Sequence, residues 1–375
     1  MKIPYGRHNI SNLDIDAVVE VLKSDWLTTG PYVTKFESLI AEVSGSKFAT
    51  AVTSGTAALH TAYAAMGVGA GDEVITSPMT FSATATTAIQ LGATVKFADI
   101  DYATGLIDVD QIGAMVNQST KVVTAVDYAG NPSPIDKIRQ SLKSDMILIL
   151  QDAAHSIGGF YGGQPIGSIA DVTAFSFFPT KNLTTGEGGA VVTNSPEIFR
   201  AAQLFKGQGI ERDISCIKSD EGPWFYEVQQ MGLNYRLPDI LCALGISQIS
   251  RLSEFKSRRN QLRNQYISAF KEHAGIRLIE NVAGSDPMWH LFPIFVDPKR
   301  RKEIYEKLHR ENIAVQVNYI PVYWHPFFQQ MGYKIGMCPK AEKFYSEEIS
   351  LPLYYGLTDS QQNKIIELLL KILAE

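Results

Sequence analysis

The stretch that decides the fold is Ser176-Phe177-Phe178-Pro179-Thr180-Lys181-Asn182-Leu183-Thr184-Thr185-Gly186-Glu187-Gly188-Gly189. A single lysine stands between an aromatic run and a glycine cluster, and the segments on either side, residues 171–177 and 190–193, read as buried strands. Lysine seldom approaches a core without a task. Held in a partly dry site, its amine has a lowered pKa and condenses with carbonyls. The plainer reading of Lys181 is a solvated loop lysine. Ser176 ends the preceding strand with a hydroxyl that can hold a phosphate oxygen. Gly186, Gly188 and Gly189 permit a tight turn into the next strand.

Working outward, apolar runs at 48–52, 73–76, 95–99, 122–126, 146–151, 172–177 and 190–193 are separated by helix-like segments such as 56–66 and 82–91. This alternation predicts an α/β domain with a mainly parallel central sheet. Strands of such a sheet are buried on both faces and need no polar–apolar alternation. Residues 12–23 have the spacing of a short amphipathic helix, with Ile15, Val18, Val19 and Leu22 on one face. Residues 207–230 form a long polar excursion carrying Pro223, Trp224 and Tyr226. A long helical region at 238–273 follows. Next comes a smaller α+β unit: a strand at 289–296, a helix at 301–311, a strand at 313–318 and a final helix at 359–373. The expected division is a large α/β domain with an N-terminal arm, residues 1–250, and a small C-terminal α+β domain, residues 251–375.

Only 19% of the 375 residues are charged and 45% are apolar, which calls for a sizeable core. The net charge of −5, with no long basic block, argues against a nucleic-acid partner. The basic run Lys299-Arg300-Arg301-Lys302 reads as a solvated helix start. Three widely spaced cysteines, Cys216, Cys242 and Cys338, imply neither a metal site nor a redox pair and suit a reducing compartment. The first residues lack the apolar run of a signal peptide, and no uncharged stretch is long enough for a membrane span. The expectation is a soluble cytoplasmic protein, without metal or membrane contact.

Two further motifs carry chemistry. Thr53-Ser54-Gly55-Thr56-Ala57 leaves a strand and opens an alanine-rich helix. Free N–H groups, hydroxyls and a glycine at a helix start make a phosphate seat, although Ser and Thr also serve as plain caps. In Gln151-Asp152-Ala153-Ala154-His155-Ser156, Asp152 ends a predicted central strand, where ligands of open α/β sheets bind. A buried carboxylate there needs a cationic or hydrogen-bonding partner. A protonated pyridine nitrogen would serve, unless Asp152 is only an N-cap and His155 only a packed histidine. Phe81, after another strand, either stacks on a ring face or packs in the core. Pyridoxal 5′-phosphate has one phosphate, one ring nitrogen and one aldehyde, and the three motifs together answer each of them.

The order "SGTAALH", "PMTFSATA", "VDYAGNP", "QDAAHSIGG", "SFFPTKNLTTGEGGAVVT" and "GLNYRLPDILCALGISQI" resembles the DegT-type sugar-nucleotide aminotransferases over residues 3–370. These are fold type I transferases that use pyridoxal phosphate, with pyridoxamine phosphate as the intermediate form. The resemblance implies that Lys181 is the Schiff-base lysine, Asp152 the acid on the pyridine nitrogen and His155 the residue near the ring oxygen. It further implies Gly55, Thr56 and Ser176 as the phosphate site and Phe81 as the ring-stacker. Asn234 would reach the phosphate of the neighbouring subunit, so a homodimer with shared active sites is implied. Arg236, in the same "LNYR" motif, is as well read as structural.

A narrower set, "SDWLTTGPYVTKFE", "AVQVNYIPVYWHPFFQQMGY" and "CPKAEKFYSEEISLPLYYGLT", is similar to the pseudaminic acid branch. That branch aminates C4 of a UDP-4-keto-6-deoxy sugar with L-glutamate as the donor. Tyr5, Tyr319 and His325 would then face the sugar nucleotide, or Tyr319 would simply pack in the small domain. Other UDP- or dTDP-4-keto sugars, such as a bacillosamine precursor, and a pyridoxal-phosphate sugar dehydratase stand as alternatives. A nicotinamide oxidoreductase is disfavoured because no GxGxxG follows the first strand.

Overall fold

The computed structural model describes residues 2–142, 144–218 and 221–375. Seven strands form the main sheet: β1 (Phe48–Val52), β2 (Glu73–Thr76), β3 (Thr94–Phe97), β4 (Thr120–Val126), β5 (Leu148–Asp152), β6 (Val172–Ser176) and β7 (Gly189–Thr193). Their order is β1-β7-β6-β5-β4-β2-β3. The run from β6 to β3 is parallel. The exception is β7, which is antiparallel to both β1 and β6. Every residue of β2, β6 and β7 is buried, which is why these strands read as continuous apolar or small-residue runs rather than alternating ones.

Helix α1 (Asn12–Leu22) starts at a capping box in which Ser11 and Asp14 bond each other's backbone N–H. Its orientation differs from the expectation. Asp14 and Val21 face inward, while Ile15 and Leu22 are 52% and 55% exposed. The inward turn is fixed by polar contacts: Asp14 Oδ2 accepts from Gln248 Nε2 at 2.9 Å and lies 3.6 Å from Arg251. Helix α2 (Pro31–Ser44) begins with proline at its first position and ends on Gly45 at φ 64°, where glycine avoids the left-handed strain. Helix α3 (Gly55–Ala65) lies against β6 and β7, and α4 (Ala83–Gln90) follows β2.

The single long helix expected at 238–273 is two, α5 (Asp239–Ile249) and α6 (Leu252–Phe270), with Ser250 as the C-cap of the first. Beyond them β8 (Arg277–Leu278), β9 (Phe292–Phe295) and β10 (Glu348–Leu351) form a small antiparallel sheet, β8-β9-β10. It is flanked by α7 (Arg301–Arg310) and α8 (Asp359–Ala374). The strand expected at 313–318 is not formed. That segment makes only isolated bridges, Ile313 with Ile3 and Gln316 with Ser350, because its backbone groups are shared among separate partners. Asn318 N–H, at its end, is taken by the Glu348 carboxylate at 2.7 Å.

We propose dividing the chain at residue 250, between α5 and α6. One apolar cluster nevertheless joins the two units: it holds Val52 and Leu150 of the main sheet together with Phe292 and Ile365 of the smaller one. No helix among the described residues is long and apolar enough to cross a membrane.

Candidate active site

The carboxyl ends of β5 and β6 lie side by side, with Asp152 opposite Ala174. Ser176, two residues further along β6, pairs with Gly189 of β7, and Gly189 pairs in turn with Val52 at the end of β1. The turn from β1 into α3 therefore crosses directly above these ends. Two glycines make the approach possible. A Cβ on Gly55 would stand 2.7 Å from Ser176 Cβ, and one on Gly189 would stand 2.4 Å from the Ser54 carbonyl oxygen. Ser54 caps α3 by accepting from Ala57 N–H at 3.1 Å. The first backbone N–H groups of the helix, with the exposed Thr56, are left beside Ser176.

Lys181 stands on the loop between β6 and β7. Its own N–H bonds Phe178 O at 2.9 Å, and Thr184 Oγ1 donates to Phe177 O at 3.0 Å. Asn182 anchors the loop from beneath, donating from Nδ2 to His155 O at 2.6 Å and to Met288 O at 3.1 Å. Leu183 is fully buried, and Gly186 makes the turn at φ 84°. The lysine is thus held on a ledge, and its side chain lines a pocket of about 450 Å³ with Asp152, Ser176, Gly55, Thr56 and Phe81. A helix start with hydroxyls, a buried acid and a loop lysine face one cavity.

Comparison with known proteins agrees. The model of the DegT/DnrJ/EryC1/StrS aminotransferase family matches residues 8–370. The chain belongs to this family. SpsC of Bacillus subtilis, a spore coat polysaccharide biosynthesis protein, is 40% identical over 97% of this chain and 95% of its own. The UDP-4-amino-4,6-dideoxy-N-acetyl-beta-L-altrosamine transaminase of Campylobacter jejuni serotype O:23/36 is 35% identical over 99% and 97%. Among solved structures, Helicobacter pylori PseC, an aminotransferase involved in the biosynthesis of pseudoaminic acid, superposes with a TM-score of 0.93 at 33% identity, covering 99% of both chains. The fold has also been captured in PLP- and PMP-forms. Pyridoxal phosphate is the cofactor of this aminotransferase.

The residues of this DegT-type aminotransferase fit that group electrostatically. Burial pushes the Asp152 carboxyl above its ordinary range, against the pull of Thr84, of the Ala154 N–H and of the Lys181 charge. Thr84 Oγ1 donates to Asp152 Oδ2 at 2.7 Å, and Thr80 lies 2.6 Å behind Thr84. Among the described residues no cation is within ion-pair distance of Asp152. Burial of a carboxylate costs several kcal/mol unless a cation compensates it, which fits a protonated ring nitrogen beside Asp152. Burial likewise lowers Lys181 to about 8, with Asp152 opposing. In cofactor-free protein, acylation of Lys181 by an amine-directed reagent should therefore rise with pH to a midpoint near 8, because the reactive amine is neutral above its pKa. A midpoint close to the ordinary 10.5 would show that the site is not dry.

The structure distributes the remaining expected residues unevenly. Tyr5 and Tyr319 line the Lys181 pocket. Phe81 is 63% exposed at its rim, so it is not a core residue. His155 is buried beneath the pocket, with its Nε2 3.1 Å from Tyr319 Oη, and burial together with the Lys181 charge holds its pKa well below the usual value. His325 is not in this pocket. It lines an adjoining one of about 430 Å³ that shares Phe81 and Tyr319, because the turn into the short helix Pro326–Gln330 carries it past them. Asn234 is exposed and lies outside the pocket walls, bridged to Gly207.

Sequence reasoning missed Thr84, His290 and Asn318. Thr84 was within reach, since the Thr80–Thr84 spacing is one helical turn beside Phe81. His290, whose ring centre is 4.5 Å from that of His155, and Asn318 arrive from the smaller unit, and nothing local marks them.

Proposed function

We propose that this aminotransferase moves an amino group from L-glutamate to C4 of UDP-2-acetamido-2,6-dideoxy-β-L-arabino-hex-4-ulose. The product would be UDP-4-amino-4,6-dideoxy-N-acetyl-β-L-altrosamine, for pseudaminic acid synthesis. The observation that carries this reading is Lys181 and Asp152 in one pocket, on a chain 35% identical to an altrosamine transaminase over nearly its whole length.

When bound, pyridoxal phosphate supplies an aldehyde carbon that can hold nitrogen and a ring that can accept electrons. Gly55, Thr56 and Ser176 hold the phosphate with backbone N–H groups and hydroxyls. Asp152, steadied by Thr84, keeps a proton on the ring nitrogen. Phe81 would cover a ring face, and His155, held by Tyr319 at 3.1 Å, would serve the ring-oxygen side from beneath the pocket. Lys181 Nζ is the proton carrier: it takes the α-proton of L-glutamate in one half-reaction and delivers a proton to C4 of the sugar in the other. Its lowered pKa suits both directions near neutral pH. Tyr5, Tyr319 and His325 form the sugar-nucleotide side, with His325 reaching through the adjoining pocket.

The working unit in this proposal is a homodimer in the cytoplasm, where UDP-sugars and L-glutamate are available. Two observations support the dimer. The outward stripe of α1 and the turn after it leave Leu13, Leu22, Trp26 and Leu27 about half exposed or more, an apolar surface of the kind that partners cover. Asn234, a phosphate ligand by family resemblance, does not reach its own chain's pocket.

The test is a substrate panel. Purified protein, L-glutamate and several UDP- and dTDP-4-keto sugars are combined, and the products are identified by mass and NMR. Amination of the arabino-hex-4-ulose in preference to the others is expected. Product only from another ketosugar would overturn the sugar assignment, and loss of water without gain of nitrogen would point to a dehydratase.

A further inference from the structure

Asn318 sits where the unformed strand of the smaller unit meets the Lys181 pocket, and it is held on three sides. Its N–H donates to Glu348 Oε2 at 2.7 Å, and its carbonyl oxygen accepts from Tyr128 Oη at 2.5 Å. Its side-chain Nδ2 donates to Tyr5 Oη at 2.6 Å and to Ser350 Oγ at 3.1 Å. Ser350 in turn gives its own hydroxyl proton to Glu348 Oε1. While Glu348 is ionised, Ser350 gives its one proton to that carboxylate and can only accept from the amide; burial pushes Glu348 up to about 8, so this holds most firmly above that pH. With Glu348 ionised, the chain Glu348–Ser350–Asn318 favours the observed orientation of the amide, nitrogen toward Ser350 and Tyr5 and oxygen away from them. Asn318 Oδ1 has no hydrogen-bond partner among the described residues and is not sealed from solvent. Asn318 lines the Lys181 pocket, and this oxygen is an acceptor with no protein donor among the described residues.

We propose that Asn318 is a specificity-determining residue whose Oδ1 accepts a hydrogen bond from the sugar hydroxyl flanking the reacting carbonyl. Asn318 and Lys181 line the same 450 Å³, so a sugar whose ketone carbon stands at Lys181 occupies the space that Asn318 borders. The acceptor selects sugars that carry a donor at that carbon over those deoxygenated there. A polar group that bound substrate closes off from water discriminates, because a substrate lacking its partner leaves it unpaired. Ser350 and Glu348 act only through Asn318 and are positioning residues.

This inference rests on the sugar-aminotransferase reading but not on the identity of the sugar. The test uses whichever 4-amino sugar nucleotide the panel yields as product, together with its analogue deoxygenated at the flanking carbon. Holoenzyme is reacted with each in single turnover, and the ratio of rate over affinity gives the discrimination. A failed altrosamine assignment changes the compound and leaves this measurement intact. Wild type should prefer the hydroxylated compound by about ten- to a hundredfold. Asn318→Leu should lose that preference, chiefly by slowing the hydroxylated compound to the level of the deoxy one. Ser350→Ala keeps the amide but removes one of the two partners of its nitrogen, and should show an intermediate ratio. Equal discrimination by wild type, Ser350→Ala and Asn318→Leu would overturn the assignment, as would a wild type that does not discriminate. Should Asn318→Leu fail to fold, a wild-type ratio in folded Ser350→Ala overturns it on its own.

Discussion

Lys181→Ala is expected to abolish ketosugar amination under multiple turnover, a loss of at least about a thousandfold. No other group is placed to replace it. The nearest basic side chain lining the pocket is His290, whose pKa is held well below the ordinary histidine value by burial first, then by the neighbouring charges. It is neutral, and it comes from the smaller unit. The variant should nonetheless still bind pyridoxamine phosphate, because the Gly55–Ser176 approach and the Asp152–Thr84 pair do not depend on the lysine. Removing a buried ammonium also relieves a desolvation cost, so thermal stability should not fall. The combination separates a chemical role from a structural one. Activity measured with repeated donor and acceptor addition, pyridoxamine phosphate retention by absorbance, and a melting curve suffice. Sustained turnover by the variant would sink the role, and loss of pyridoxamine phosphate binding with intact folding would show that Lys181 builds the site rather than works in it.

The sheet was legible because its strands are buried on both faces. A run such as 172–176 must be apolar or small whatever packs against it, so the signal survives without knowledge of partners. The ends of β5 and β6 were legible for a related reason. Asp152 and Lys181 are polar residues that interrupt buried segments, and such interruptions need a chemical cause. Elements whose conformation is set by distant side chains were not legible. The face of α1 turns on Gln248 and Arg251, more than two hundred residues away, and these overrule its apolar stripe. Residues 313–318 look like a strand by composition, yet their backbone partners are Ile3, Ser350 and a glutamate side chain. His325 lines an adjoining pocket that it shares with Tyr319, a placement that the motif alone does not give, since a sequence motif gives neighbourhood and not direction. Asn318 could be seen only once Glu348, Ser350 and Tyr5 were together.

A mixture of two crippled variants is expected to recover about a quarter of the wild-type activity. The variants are Lys181→Ala and Asn234→Asp. The first has no proton carrier. On the shared-site reading the second would set a carboxylate against the phosphate of the neighbouring site, and like charges so placed cost several kcal/mol, so its activity should fall at least about a hundredfold. If Asn234 serves the partner's pocket, a mixed dimer has one site with both lesions and one with neither. Random pairing makes about half of the dimers mixed, and one in four of all sites is then intact. Asn234 is exposed, bridged to Gly207, and outside the pocket that holds its own Lys181. Coexpression of differently tagged chains, purification through both tags and assay of the mixed species give a cleaner reading, with about half of the wild-type rate expected from a pure mixed dimer. Activity no higher than the average of the two parents would mean that Asn234 acts within its own chain or not at all. A protein that runs as a monomer while fully active would remove the shared site altogether, and with it the reason for the apolar stripe of α1 to face outward.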